Sequence, residues 1–284
     1  MPEGTILDTI LDHKRGEVAA RQAATPLADL KARAADAPLC RGFAAAIRNP
    51  VPPLLGARGN APGAMPAALG GHAATVALIA EVKKASPSAG IIRADFDPVV
   101  IAKTYEQSGA SCLSVLTDER FFQGHDSYLK AVRQSVAIPL LRKDFTVDPY
   151  QIYEARVLGA DALLLIVAAL SADEIQEFQA IGHDLGLDVL VEVHTEEEMA
   201  VAVEAKATLV GINTRDLKRF VTDLGTFDRL APMAPTGATL VAESGIKTPA
   251  DVTRVAAAGA NAILVGESLM RQPDIAVAVR ELLG

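Results

Sequence analysis

The chain has 284 residues, of which 50% are apolar and 22% charged, a composition that excludes a wholly disordered chain and a small disulfide scaffold. A formal net charge of −8 with no run of Lys and Arg speaks against a nucleic-acid surface. The longest strictly apolar run, 162–170, is too short to span a bilayer as a helix, and the N-terminus lacks the basic and apolar regions of a secretory signal. In chain order, Thr5 to Gln22 has the spacing of an amphipathic helix, Thr25-Pro26 opens a second, and residues 41–48 form a short third. Residues 49–72 hold five Pro and five Gly and read as a loop or a partly disordered stretch. After residue 75 short apolar runs recur eight times: VALIAEV, CLSVLTD, PLLRKDF, ALLLIVA, VLVEVH, TLVGINT, TLVAESG and AILVGES. Helix-like segments separate them, many opening on Asp, Ser or Thr as caps, and Gly109, Gly159 and Gly259 stand where helices should stop.

Runs apolar at nearly every position suit parallel strands buried on both faces. Eight strand-plus-helix units predict an α/β protein of the (β/α)8 TIM-barrel class with an N-terminal helical extension. The division is residues 1–75 for the extension and 76–284 for the barrel, one structural domain overall, with the N-terminal helices covering one end of the barrel. An open doubly wound sheet is the alternative, but AEVKKASPSAG after the first strand is not its Gly-rich turn. Cys40 and Cys112, far apart and outside any C-x-x-C, read as reduced, buried thiols of a cytoplasmic protein.

Polar residues are concentrated at the strand ends: Glu81, Lys83, Lys143, Asp144, Glu192, His194, Asn213, Arg215, Glu243 and Ser244. Alternate residues of a strand share a face, so Glu81 goes with Lys83, Leu141 with Lys143 and Phe145, and Leu190 with Glu192 and His194. If those faces point inward, two Lys, one Arg and two Glu meet at the C-terminal rim, where barrel enzymes place their chemistry. The last two strands run into Gly245 and Gly266, whose backbones can approach a ligand closely. With Ser244 and Lys83 they predict a phosphate cradle. Local cations outweigh the net charge of −8 there, because salt screens the distant acidic groups within ~8–10 Å. The five His are scattered, so no metal site is expected, and no G-x-S-x-G supports a Ser-His-acid triad. His194 reads as a hydrogen-bonded rim residue. Neighbouring cations and desolvation are expected to bring a lysine proton donor down toward working pH.

As a set, IAEVKKASPS (79–88), LTDERFFQG (116–124), LRKDF (141–145), VEVH (191–194), GINTRDL (211–217), AESGI (242–246) and VGESLM (265–270) resemble indole-3-glycerol-phosphate synthase, from about residue 5 to the end. The resemblance implies a carboxy-lyase of tryptophan biosynthesis. It would close the indole ring of 1-(2-carboxyphenylamino)-1-deoxyribulose 5-phosphate with loss of CO2 and water, using no cofactor or metal. Carried over by residue, it makes Lys143 the general acid and Glu192 the acid/base of dehydration, with Glu81, Lys83, Asn213 and Ser244 as supporting catalytic residues. Arg215 braces the carboxylates, while Ser86, Gly245, Gly266 and Glu267 surround the substrate and its phosphate. Pro87, Phe122 and Phe145 clamp the anthranilate ring, and Leu164 and Leu217 line the same pocket. Glu267 stands where some relatives have Ser: contact through its backbone N–H alone is compatible with a phosphate there, whereas a side chain aimed at the phosphate would repel it, and the resemblance leaves both open. The expected partner is a phosphorylated small molecule, with no nucleic acid and no membrane, and association with other tryptophan-pathway enzymes stays open. A fused isomerase or amidotransferase domain is not expected. Two rivals are weighed: an isomerase on the same barrel, which needs no decarboxylation, and a phosphate-binding regulatory barrel, which would dispense with Lys143 or Glu192.

Overall fold

The computed structural model describes residues 5–50, 76–216 and 221–284. The proposed loop 49–72 therefore lies almost wholly outside the described residues, as does Leu217. The strands are β1 (Ala77–Val82), β2 (Ala85–Ser86), β3 (Gly90–Ile91), β4 (Cys112–Leu116), β5 (Leu140–Lys143), β6 (Ala162–Ile166), β7 (Asp188–Val193), β8 (Leu209–Asn213), β9 (Thr239–Glu243) and β10 (Ala262–Val265). All but β2 and β3 close into a parallel barrel in the order β1-β10-β9-β8-β7-β6-β5-β4. These eight are the eight apolar runs. The short antiparallel β2–β3 hairpin after β1 is an addition that two-residue strands leave invisible to periodicity.

The helices are α1 (Ile6–Ala24), α2 (Leu27–Ala35), α3 (Phe43–Arg48), α4 (Pro98–Gln107), α5 (Glu119–Phe122), α6 (Asp126–Ser135), α7 (Tyr150–Leu158), α8 (Ala172–Asp184), α9 (Glu196–Glu204), α10 (Gly225–Leu230), α11 (Pro249–Ala257), α12 (Glu267–Met270) and α13 (Ile275–Leu283). Their starts follow local chemistry. Asp97, Asp118, Ser171, Thr195, Thr248 and Asp274 each accept a backbone N–H of the first turn, satisfying donors that the helix itself cannot pair. The segments that open on Asp126 and Asp148 differ in detail: His125, not Asp126, caps α6, while Asp148 accepts the N–H of Tyr150 at the start of α7 from one position before the N-cap Pro149. Gly109, Gly159 and Gly259 have φ of 105°, 88° and 103°, the left-handed turn that ends the preceding helices.

Residues of one parity on the strands face the barrel interior. Ala77, Ile79, Cys112, Leu141, Leu190 and Val241 pack there around Phe43 and Ile47 of α3, which plug the end where the strands begin. Asp188 at the start of β7 accepts the N–H of Ala44, and Asp161 accepts that of Arg41, which fastens the plug to the barrel. The extension does not cover one end only, as expected, but both. The ring is open at its two mouths, and a segment with three helices has apolar faces for each: α3 closes the bottom, while Ile6, Leu7 and Ile10 of α1 reach the opposite rim. Cys112 is fully buried and Cys40 only half-buried, because Cys40 lies on the connection into the plug; both are free thiols.

Candidate active site

A cavity of about 1000 Å³ opens at the C-terminal ends of the barrel strands. Its wall contains Lys143, Glu192, Glu81, Lys83, Asn213 and Ser244. It also contains Ser86, Pro87, Phe122, Phe145, Leu164, Arg215, Gly245, Gly266 and Glu267. Every catalytic and substrate-binding residue that the resemblance implies thus lines one space, except Leu217, which lies outside the described residues; His194, also expected at the rim, is not part of this wall. Strand parity is the cause. Glu81, Lys143, Glu192, Asn213 and Glu243 continue the inward rows begun by Ile79, Leu141, Leu190, Leu209 and Val241. Arg142, of opposite parity, points outward to Asp126 and Glu154.

Lys143 Nζ lies 2.7 Å from Glu192 Oε2 and 2.8 Å from Glu243 Oε2. Burial alone would push this lysine down, but the carboxylates of Glu192, Glu243 and Glu81 outweigh it and hold the ammonium above its ordinary value. The expected lowering toward working pH is therefore overturned, because anions surround Lys143 instead of cations. The two glutamates that share this ammonium differ. Glu192 also faces His194 Nε2 at 3.4 Å and accepts from Asn213 Nδ2 at 3.3 Å, and despite burial it stays well below the usual carboxylate range. Burial and the neighbouring Glu192 charge push Glu243 up to about 8. Of the two carboxyls that share the Lys143 ammonium, Glu243 is the one whose protonated form is favoured, since it shares one cation and faces an anion.

Two glycines make room for these carboxylates. A Cβ on Gly211 would collide with Glu243 Oε1, and one on Gly266 with Glu81 Oε2. The open space expected over Gly266 for a ligand is thus filled in part by Glu81, which pairs with Lys83 at 2.5 Å. Where β9 ends, Ser244 and Gly245 have φ of 66° and 76°. A left-handed serine is strained, a state that persists where surrounding structure enforces it and that is common at functional sites.

Arg215 does not brace the catalytic carboxylates. Its Nη2 lies 3.6 Å from Glu267 and its Nη1 donates to Ser88 Oγ at 3.2 Å, because Arg215 lies two residues beyond the end of β8, in an antiparallel bridge with Thr222. Glu267 is also held by Arg271 at 3.0 Å, so its side chain is engaged by two guanidinium groups. The rings of Phe122 and Phe145 are 6.0 Å apart and tilted by 40°. His194 stands behind Glu192, its Nδ1 3.0 Å from Glu198 Oε2.

The sequence reading left Glu243 without a role, although its parity with Val241 was the available signal. It also missed Lys14, a buried lysine on the apolar face of α1 between Leu11 and Val18. Arg271 carried no signal of its own. Among the described residues, no group of three or more His, Cys, Asp or Glu is positioned for a metal ion, and no helix is long and apolar enough to cross a membrane.

Comparison with known proteins adds sequence and fold relationships. Residues 58–282 match the family model for indole-3-glycerol phosphate synthase. Curated relatives with that name include one from Rhodospirillum rubrum, 51% identical over 98% of this chain and 99% of its own. Another, from Rhodopirellula baltica, is 50% identical over 98% and 99%. Among solved structures, 3-hexulose-6-phosphate synthase superimposes with a TM-score of 0.60 at 16% identity, covering 73% of this chain and 98% of that one, a likeness of fold alone. At half-identity along nearly the whole length, with the family match spanning the barrel, the chain belongs to the indole-3-glycerol phosphate synthase family, decarboxylating lyases of tryptophan biosynthesis that act on a phosphorylated small molecule.

Proposed function

We propose that the cavity binds 1-(2-carboxyphenylamino)-1-deoxyribulose 5-phosphate and converts it to indole-3-glycerol phosphate, CO2 and water. The observation that carries this is one ammonium, Lys143, paired with Glu192 and Glu243 in the same cavity as the Phe122–Phe145 pair and the Ser244–Gly245 turn. Phe122, Phe145, Pro87 and Leu164 hold the carboxyphenyl ring. Lys83, Arg215, Ser86 and the backbone at Gly245, Gly266 and Glu267 hold the phosphate end. Arg215 and Arg271 draw the Glu267 carboxylate aside, which leaves its N–H as the contact.

Lys143 donates a proton to the ketone oxygen as the ring carbon bearing the carboxylate attacks the carbonyl carbon. A carbon–carbon bond forms, and the ketone becomes a hydroxyl. The carboxylate then leaves as CO2, and its bonding pair restores the aromatic ring. Water is lost next: the hydroxyl departs with a proton from the neighbouring carbon, and Glu192 serves as the acid/base. Glu243, protonated below about pH 8, stands beside it as a proton donor. Glu81, Asn213 and Ser244 orient these groups, and enclosure beside the aromatic pair holds the reacting ends together.

Supplying the substrate to the folded chain and following indole fluorescence tests this. A signal is expected; silence from folded, phosphate-binding protein would favour a regulatory barrel. Lys143→Ala should lose at least ~10²-fold in kcat, the usual scale of a general acid. Near-normal turnover of that variant would remove Lys143 from the role. The extension 1–75 and barrel 76–284 act as one unit, since α1 contributes Ile6, Leu7 and Ile10 to the cavity wall. The chain works in the cytoplasm, and association with other enzymes of tryptophan biosynthesis would appear as co-elution on size exclusion.

A further inference from the structure

Lys14 takes no part in the chemistry above, yet it is 1% exposed and lies among the buried residues Ile10, Leu11 and Val18 of α1. Its ammonium lies 2.9 Å from Glu17 Oε2, 3.1 Å from Asp118 Oδ2 and 2.9 Å from Asp144 Oδ1. Both aspartates hold backbone amides as well. Asp118 Oδ1 accepts the N–H of Phe121 at 2.8 Å and of Phe122 at 3.3 Å, and Asp144 Oδ1 accepts that of Phe145 at 2.8 Å. Phe122 and Phe145 are the two rings that face each other in the cavity wall. Asp144 has further support from the Thr117 hydroxyl and Arg142. Asp118 Oδ2 is buried without a hydrogen bond, so the Lys14 ammonium is the charge that faces it.

We infer that Lys14 is a positioning residue that sets the spacing of the Phe122–Phe145 pair by bridging the two carboxylates that fix their backbone amides. Through that pair it governs the fit of the aromatic end of the ligand. The ligand's identity rests on the function proposed above, whereas the network does not. Without the ammonium, Asp118 Oδ2 is left buried with neither a hydrogen bond nor a facing cation, and the rearrangement that relieves this loosens its cap on Phe122.

The test compares the full-length chain with Lys14→Gln and Lys14→Arg by amide hydrogen exchange and by binding of anthranilate and inorganic phosphate. In Lys14→Gln, exchange at Phe122 and Phe145 should quicken by about tenfold or more, as for loss of a charge-assisted hydrogen bond, while Ile212 in β8 is unchanged. Anthranilate affinity should fall by about tenfold and phosphate affinity by less than about twofold, and Lys14→Arg should recover most of the loss. Unaltered exchange at both phenylalanines, equal quickening throughout the barrel, or equal losses for the two ligands would overturn the role. Should Lys14→Gln not fold, Asp118→Asn keeps a capping oxygen but removes the charge facing Lys14. It should then quicken Phe122 exchange and leave Phe145 unchanged, and protection of Phe122 as in the parent chain would overturn the role. If the parent chain binds no anthranilate, the functional proposal fails, and the exchange comparison still decides the positioning role.

Discussion

Glu192, Glu243 and His194 take their states from the opposite charges around them. Glu192 has two cationic neighbours and stays ionised; Glu243 has one and an anion beside it, and keeps a proton up to about pH 8. His194 is the same case with the sign reversed. Burial would lower it, but Glu192 and Glu198 raise it from 6.5 to about 10, so the imidazolium is the form that the fold favours. A raised folded value means that this stabilisation is complete below 6.5 and is lost as pH rises toward 10. His194→Gln should therefore unfold at lower denaturant than the parent chain below pH 6.5, with the gap closing by pH 10. Denaturant midpoints across that range check it, and a gap independent of pH would mean a neutral imidazole. Of these residues, the sequence disclosed the types and their parity. It did not disclose that carboxylates would outnumber cations around Lys143, since that depends on which strands become neighbours across the ring.

At the level of elements, the strands were legible because a parallel strand covered on both faces must be apolar almost throughout. The helices between them announced themselves through caps and left-handed glycines. The β2–β3 hairpin and the cap at His125 were not legible: the first is too short to show a period, and the second replaces a commoner capping residue. Glycines inside or just after strands have a meaning that only the assembled barrel supplies. Gly266 follows β10, yet its missing side chain is needed by Glu81 on β1, its neighbour in the ring. Gly266→Ala should push Glu81 away from Lys83 and lower kcat/KM by about 10²-fold, the scale of an ångström-sized misplacement, while the chain still folds. Steady-state kinetics with a melting curve would check this, and unchanged kinetics would show that Glu81 has room to move.

Over the whole molecule, the extension and the barrel share two seams. At the bottom, α3 inserts Phe43 among Ala77, Ala162 and Ala262, small inward residues that leave space for a ring. Phe43 is fully buried, so Phe43→Ala should destabilise the chain by about 3–5 kcal/mol, the usual range for an emptied aromatic site, measurable by denaturant unfolding. A change below about 1 kcal/mol would mean that the barrel base closes without its plug. At the top, Lys14 fastens α1 to the loops after β4 and β5. The sequence by itself determined the architecture and the inventory of reactive side chains, because buried parallel strands and their capped helices leave a local pattern, and parity assigns each strand-end residue to a face. The tertiary structure alone decided which charges meet, how each is protonated, and which ends the extension closes. Those outcomes depend on distances between residues remote in the chain, and burial magnifies charge interactions that no local pattern records.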